Sequence, residues 1–347
     1  MTNFSPSDGI RLAAKGIYNY ITKRPLIVSF EVTLSCNCNC RHCDLGGLIK
    51  DEKQLKPDDY ARLTRLLGPP VVQISGGEPL LRKDIVDVVK AIKGANRAPY
   101  LILVTNGVLL NEGNYIQLHE AGVNQLSVSL DFPDDRHDEF RRHRGLYRHL
   151  DETIPRLARF GHRDIILNTA ITKANLGEVL PLAQKAKDWG VFISYSAYTP
   201  LRTNDNNYVI NAPEDLAMLR KTIYELIELT KRTNHITNSK AVLLDTIKFF
   251  EQGYMPNCKA GVRFFVVMPD GAFVPCSLHR NKYSTQKEMI ENFSRTNQCG
   301  GCYVAIRSYS DRSLLGLLKD APTLAKRFFA STAKERVSQA ESLSHHN

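Results

Sequence analysis

Cys36, Cys40 and Cys43 follow an apolar run at 26–32 with the spacing Cys-x3-Cys-x2-Cys. Three thiolates on one short loop can hold three irons of a 4Fe–4S cluster. The fourth iron then has no protein ligand and can take an atom of a substrate or cofactor. Zinc is the competing reading, but a structural zinc needs four ligands, with the second pair normally nearby in sequence. His42 could supply a fourth, yet it is wedged between Cys40 and Cys43. Cys38 lies inside the loop but outside the spacing and reads as a spare thiol.

The other four cysteines, Cys258, Cys276, Cys299 and Cys302, come after more than two hundred residues without one. Residues 1–24 scatter charges among their apolar residues and lack a signal-peptide h-region, so a reducing cytoplasm is the expected compartment. There cysteines ligate metals more often than they pair as disulfides. Two separated groups imply two metal sites.

Loops that hold such ligands need a scaffold, and the hydrophobic pattern supplies one. An amphipathic helix at 8–22 ends at Pro25. Apolar runs at 27–32, 71–75, 101–105, 125–130, 165–171 and 191–195 then alternate with helical patterns. The helix opened by Pro57 closes at Gly68, and others span 83–93, 112–121, 147–160 and 176–189. The runs are short, rich in Val, Ile and Leu, and read as apolar on both faces, as parallel strands under helices should. Six such units predict an α/β fold, a partial (β/α)6 parallel barrel with its chemistry at the C-terminal strand ends. After residue 195 the rhythm breaks into a polar loop at 199–211 and helices at 212–232 and 243–250. A β-hairpin follows at 263–275, turning at Asp270-Gly271 between Cys258 and Cys276. The expected units are an N-terminal helix (1–25), the barrel (26–200), a helical connector (201–250), a small C-terminal cluster-binding domain containing the hairpin (251–310) and a basic helical tail (311–347).

The chain has 347 residues, 43% hydrophobic and 24% charged, ordinary values for a globular protein. No apolar stretch approaches the ~18 residues needed to span a bilayer. The net charge of +10 is spread along the chain, with a concentration at 141–144. It reads as a solvated surface that would also attract an acidic electron-donor protein, and no nucleic-acid partner is expected.

In order along the chain stand Cys36-Asn37-Cys38-Asn39-Cys40-Arg41-His42-Cys43, then Ser75-Gly76-Gly77-Glu78-Pro79, then Thr105-Asn106-Gly107. Ser127-Val128-Ser129-Leu130-Asp131 follows, with His137, Asp138 and Arg141 beyond it, and Asn168 lies on the fifth run. This ordered set, each motif at a strand end, resembles the radical S-adenosylmethionine (SAM) enzymes over about residues 26–200. The resemblance implies that the amino and carboxylate groups of SAM chelate the open iron. It implies that Gly76-Gly77 lets the backbone approach the methionine part, that Glu78 in the Gly-Gly-Glu-Pro stretch (through Pro79) meets its amino group, and that Thr105 and Asn106 belong to the SAM site. Ser129, Asn168 and Arg141 would hold ribose and carboxylate, with Arg142 and Arg144 competing for the last role. The reaction implied is reductive cleavage of SAM to methionine and a 5′-deoxyadenosyl radical, which takes a hydrogen atom from substrate. No side chain beyond the cluster is assignable as catalytic.

The second cysteine group resembles the opening of a SPASM domain or its shorter twitch relative, which carry auxiliary 4Fe–4S clusters. No cysteine follows Cys302, so four thiolates would close one such cluster; zinc is the rival, since a closing Cys-x2-Cys also suits it. The partners implied are a flavodoxin- or ferredoxin-type electron donor and a small-molecule, lipid-linked or peptide substrate. A ribosomal-peptide or protein maturase is the alternative function, with 1–25 too short for a leader-binding domain of its own. A non-enzymatic Fe–S or zinc-binding protein is the remaining one, but it would leave Glu78 and the Gly-Gly turn without a task. Apolar residues such as Leu314, Leu318, Phe328 and Phe329 alternate with basic ones in the tail. That stretch could lie peripherally on the inner face of a membrane or cap the barrel.

Overall fold

Every apolar run of the first two hundred residues becomes a strand of one sheet. The computed structural model describes residues 4–95 and 99–320. Strands β1 (Ile27–Thr33), β2 (Val71–Gly76), β3 (Tyr100–Thr105), β4 (Gln125–Ser129), β5 (Ile165–Ile171) and β6 (Phe192–Ala197) pair in parallel with their neighbours in chain order. Helices α1 (Pro6–Ile21), α2 (Pro57–Leu67), α3 (Ile85–Gly94), α4 (Glu112–Ala121), α5 (Arg136–Arg141), α6 (Leu146–Ala158) and α7 (Val179–Asp188) fall before or between them. The sheet stays open, a partial barrel as the repeat count requires. The local signals worked where they were strong: Pro57 opens α2, and Gly68 closes it in the left-handed region at φ 58°.

Beyond the barrel lie α8 (Pro213–Arg232), α9 (Lys240–Gln252), β7 (Phe264–Val267), β8 (Phe273–Val274), α10 (Gln286–Met289) and α11 (Ala305–Ser310). The hairpin forms at Asp270-Gly271, with Gly271 at φ 90°. It does not stand in a sheet of its own. β7 pairs in parallel with β1, Ile27 opposite Phe264 through Phe30 opposite Val267, so one sheet runs β6-β5-β4-β3-β2-β1-β7-β8. The physical reason is the edge. β1 would otherwise present a row of unpaired backbone groups, and all four residues of β7 are buried.

The strands differ from expectation in one respect. The convex face is apolar throughout, whereas the lumenal face is largely polar, with Ile102 and Val104 of β3 as apolar exceptions. Val28, Phe30, Val72, Ile74, Leu101, Leu103, Val128 and Leu167 lie fully buried under the helices. The alternate positions face the lumen and carry Ser29, Glu31, Gln73, Ser75, Gln125, Ser127, Ser129, Asn168, Ser194 and Ser196. Ser129, Asn168 and Ser194 stand opposite one another on adjacent strands. The period-2 alternation of side chains is what sorts them. Among the described residues no helix is long and apolar enough to cross a membrane. The membrane-surface expectation rested on residues 312–336; Leu315 and Leu318 are exposed, and the stretch from residue 321 onward lies outside the described residues.

Candidate functional site

The segment after β1 is the long loop that carries Cys36, Cys40 and Cys43. Backbone bonds pin it from several sides: Cys36 N–H donates to Gly47 O (2.9 Å), Arg41 N–H to Phe140 O (3.0 Å) and Cys43 N–H to Cys40 O (3.2 Å). The Gly-Gly turn after β2 holds its base, Gly77 N–H donating to Thr33 O and Glu78 N–H to Ser35 O, both at 2.8 Å. A Cβ on Gly76 would collide with the Thr33 carbonyl, and one on Gly77 with that of Ser35. Gly76 also takes a φ of 134°. The glycines are therefore required first by the approach of two protein segments.

Glu78 is fully buried and acts as a strut. It accepts from Thr105 Oγ1 (2.7 Å) and Leu80 N–H (3.0 Å) on one oxygen and from Asn106 N–H (2.7 Å) on the other. Burial pushes its carboxyl up to about 7, against the pull of those donors. The expectation that this carboxylate faces a ligand's amino group meets a group whose oxygens already serve the turn after β3. Pro79 opens a short 3-10 turn behind it. Asn106, held in place by that turn, donates from Nδ2 to Asn37 Oδ1 (2.7 Å) and points at Cys36 Sγ (3.7 Å).

Arg141, on α5, is buried; Arg142 and Arg144 are exposed. This settles which of the three reaches the site, but its guanidinium is not free for a ligand carboxylate as expected. Nε donates to the fully buried Asp131 (2.8 Å), and Nη1 lies 3.7 Å from Cys40 Sγ. Burial works against the charge, and Asp131 and Cys40 outweigh it. The Cys40 thiol is held below its usual range by a hydrogen bond from Cys38 and, against burial, by Arg141. Cys38 itself is buried in the apolar core.

Cys36, Cys40 and Cys43 share one cavity of about 160 Å³ with Gly76, Gly77, Thr105, Asn106, Ser129 and Arg141. Nine of the expected site residues thus converge. Glu78 and Pro79 stand behind the wall, and Asn168 lies on the neighbouring strand, outside the lining. The lining also includes Ser75, Val104, Leu45, His42 and Arg202. Ser75 was legible as the lumenal residue before Gly76; Arg202, in an irregular turn after β6, had no signal. His42 stacks on Phe140 at 4.8 Å, and burial lowers its pKa to about 4. A larger cavity of about 1070 Å³ lies at the opposite end of the strands, beside α1 and the starts of β3 and β4, and contains no cysteine.

Cys258, Cys276, Cys299 and Cys302 form a second cluster of thiols. Burial pushes the first two up, to about 11 and about 12, and each also feels Cys302. Cys302 feels Cys299 in turn. Arg307, fully buried, donates to the Cys302 carbonyl (2.6 Å) and points Nη1 at its sulfur (3.8 Å). His279 Nε2 lies 3.3 Å from Cys299 Sγ. Among the described residues, the ligand-type trio drawn within 4.8 Å is His119, His162 and Asp164, not three thiols. A single zinc on four thiolates would bring the sulfurs to about 3.8 Å from one another, from Zn–S distances of about 2.3 Å.

The donor set fits an iron–sulfur centre: three thiols on one walled cavity, with Asn106 and Arg141 N–H groups aimed at two of the sulfurs. The family model described as the radical SAM superfamily matches residues 30–186. Among curated proteins, the chain is 30% identical over 224 residues to the AdoMet-dependent heme synthase of Methanosarcina barkeri, covering 61% of each. It is 29% identical over 217 residues to the GTP 3′,8-cyclase of Aquifex aeolicus, covering 58% of this chain and 68% of that one. The chain thus spans less than two thirds of the heme synthase's length. Among solved structures, anSMEcpe with bound AdoMet superposes with a TM-score of 0.61 at 17% identity, over 91% of this chain and all of that one. Streptococcus suis SuiB bound to S-adenosylmethionine gives 0.60 at 18% identity, over 79% and 67%. At these identities the structures establish a shared fold.

Proposed function

The chain belongs to the radical SAM superfamily, and from that premise we propose that it is an enzyme that cleaves SAM reductively to act on a polar small-molecule substrate. The observation that carries this is the single cavity shared by Cys36, Cys40, Cys43 and the strand-end residues Gly76, Thr105, Asn106 and Ser129. When bound, the cluster and SAM would supply an electron and a 5′-deoxyadenosyl radical that removes a hydrogen atom from substrate.

The chain's own residues hold and shield. Cys36, Cys40 and Cys43 would ligate three irons. Asn106 and Arg141 offer N–H groups to the sulfurs, which favours the more reduced, more negative state of such a centre. Backbone groups of Gly76 and Gly77 and the hydroxyls of Thr105 and Ser129 border the space left for SAM, with Asn168 on the adjacent strand toward the ribose. The lumenal hydroxyls and amides, from Ser29 to Ser196, favour a polar substrate. Residues 251–310 would bind a second 4Fe–4S cluster through Cys258, Cys276, Cys299 and Cys302. The resemblance of Cys258, Cys276, Cys299 and Cys302 to a twitch-type opening favours a cluster over zinc there. With four thiolates it has no open iron, so it would pass electrons or brace the module.

The test is anaerobic purification, iron counting and incubation with dithionite and SAM. About eight irons per chain and formation of 5′-deoxyadenosine are expected. Zinc in place of iron, or iron with no SAM cleavage, overturns the reading.

A further inference from the structure

Two arginines at the mouth of the barrel have no task in the chemistry described so far. Arg202 ends the short turn after β6 (Pro200–Arg202), and Arg280 follows Cys276 by four residues. Segments far apart in sequence bring them to one place. Arg280 Nη1 lies 3.3 Å from Glu31 Oε2, and Arg202 Nε lies 2.6 Å from Asp44 Oδ1, beside Cys43. The Arg202 charge is felt by Glu31, and Arg202 in turn lies in the field of Cys43, Asp44 and Glu31. Arg202 lines the cysteine cavity, and Glu31 stands on the lumenal face of β1 opposite Ser75, another lining residue.

These pairings leave the donors unsatisfied. Nε and Nη2 of Arg280, Nη2 of Arg202 and Oε2 of Glu31 are buried without an aligned hydrogen-bond partner. Glu31 is only 3% exposed. Buried polar groups nearly always have partners, and guanidinium N–H groups without acceptors cost more than neutral ones. Two planar donor forks that both act on the same lumenal carboxylate, Glu31, and keep N–H groups unsatisfied offer what a carboxylate or phosphate group accepts. Asp44 and Glu31 together balance the two positive charges but do not fill their hydrogen-bonding positions.

We propose that Arg202 and Arg280 form an oxyanion subsite that holds a carboxylate or phosphate of the substrate beside Cys43, with Glu31 holding the guanidiniums in place and competing with the ligand. This deepens the SAM-cleavage reading and rests on it for calling the ligand a substrate. It makes the C-terminal module, through Arg280, a contributor to the substrate site.

The experiment uses the full chain, reconstituted anaerobically and saturated with SAM so that SAM's own carboxylate site is filled. Pyrophosphate and, separately, succinate are titrated in by calorimetry. At least one is expected to bind, and which one does distinguishes a phosphate from a carboxylate substrate. Arg280→Gln and Arg202→Gln should each weaken it about tenfold or more, the worth of a charge-assisted hydrogen bond. Glu31→Gln should tighten it severalfold, a gain that misfolding cannot produce. The proposal is overturned if neither probe binds, if the arginine variants bind as wild type does, or if their SAM affinity falls instead. Formation of 5′-deoxyadenosine by the wild type is scored separately, so failure of SAM cleavage is distinguishable from failure of the subsite.

Discussion

The Arg141 guanidinium lies 3.7 Å from the sulfur of Cys40 while its Nε holds the buried Asp131 carboxylate. A positive charge is thereby fixed beside a thiol that must lose its proton to ligate iron, and Asp131 keeps that charge from being an unpaired one in the core. Arg141→Ala should cost about 3–5 kcal/mol, because it leaves Asp131 buried and unpaired. Arg141→Lys keeps the charge but not the fork, and should cost less while lowering iron occupancy. Urea midpoints and iron counts on the same preparations separate the two effects.

Gly77→Ala should be disruptive, since its Cβ would meet the Ser35 carbonyl at the base of the cysteine loop. A loss of at least ~2 kcal/mol is expected, with reduced iron content. Gly16, inside α1, has nothing within 4 Å of the equivalent position. Gly16→Ala should be neutral or stabilising by up to about 1 kcal/mol. Thermal unfolding of the pair checks both signs.

Replacing Cys36, Cys40 or Cys43 by Ala should each remove the SAM-binding cluster and abolish 5′-deoxyadenosine formation. Cys38→Ala should keep the iron, since Cys38 lies outside the lining of the cavity that Cys36, Cys40 and Cys43 share. Its S–H bond to Cys40 is lost, so a shifted cluster potential with unchanged iron is the expected signature. Loss of iron in Cys38→Ala would make Cys38 a ligand.

His137 is fully buried, with Nδ1 accepting from Asp131 N–H (3.2 Å), and burial lowers its pKa to about 3. The unfolded chain takes up a proton near pH 6.5 that the folded one refuses until about 3. Stability from this group is therefore complete above pH 6.5 and is lost as pH falls through that window, by about 1.4 kcal/mol per unit. In His137→Asn, whose amide oxygen can take the same N–H, the acid slope should be shallower by that amount. Urea unfolding at a series of pH values between 7.5 and 5 measures it; an unchanged slope would show that His137 takes up its proton alike in the folded and unfolded chain.

Much of this was legible in the sequence because the signals were local. The strand-end positions of the cysteines, the Gly-Gly turn and Thr105-Asn106 follow from alternating apolar runs, and nine expected residues meet at one cavity. The lumenal polarity was also present, in Ser127 and Ser129 or Ser194 and Ser196. It was masked by the large apolar residues between them, Val128 and Tyr195, which made the strands look apolar on both sides. α5 escaped notice because six largely charged residues carry no amphipathic period. The roles of Glu78 and Arg141 depend on partners 27 and 10 residues away, Thr105 and Asp131, which spacing does not reveal. The pairing of β7 with β1 joins residues more than two hundred positions apart, and parallel pairing leaves no turn signature between its partners.

That pairing makes the segment around β7 a structural cover for the edge of the barrel. A protein cut before residue 251 would present β1 as a bare sheet margin with Val28 and Phe30 on one side of it. Strand margins of that kind recruit other chains. The shortened barrel should therefore self-associate on dilution from denaturant, even though every strand of its own six is intact.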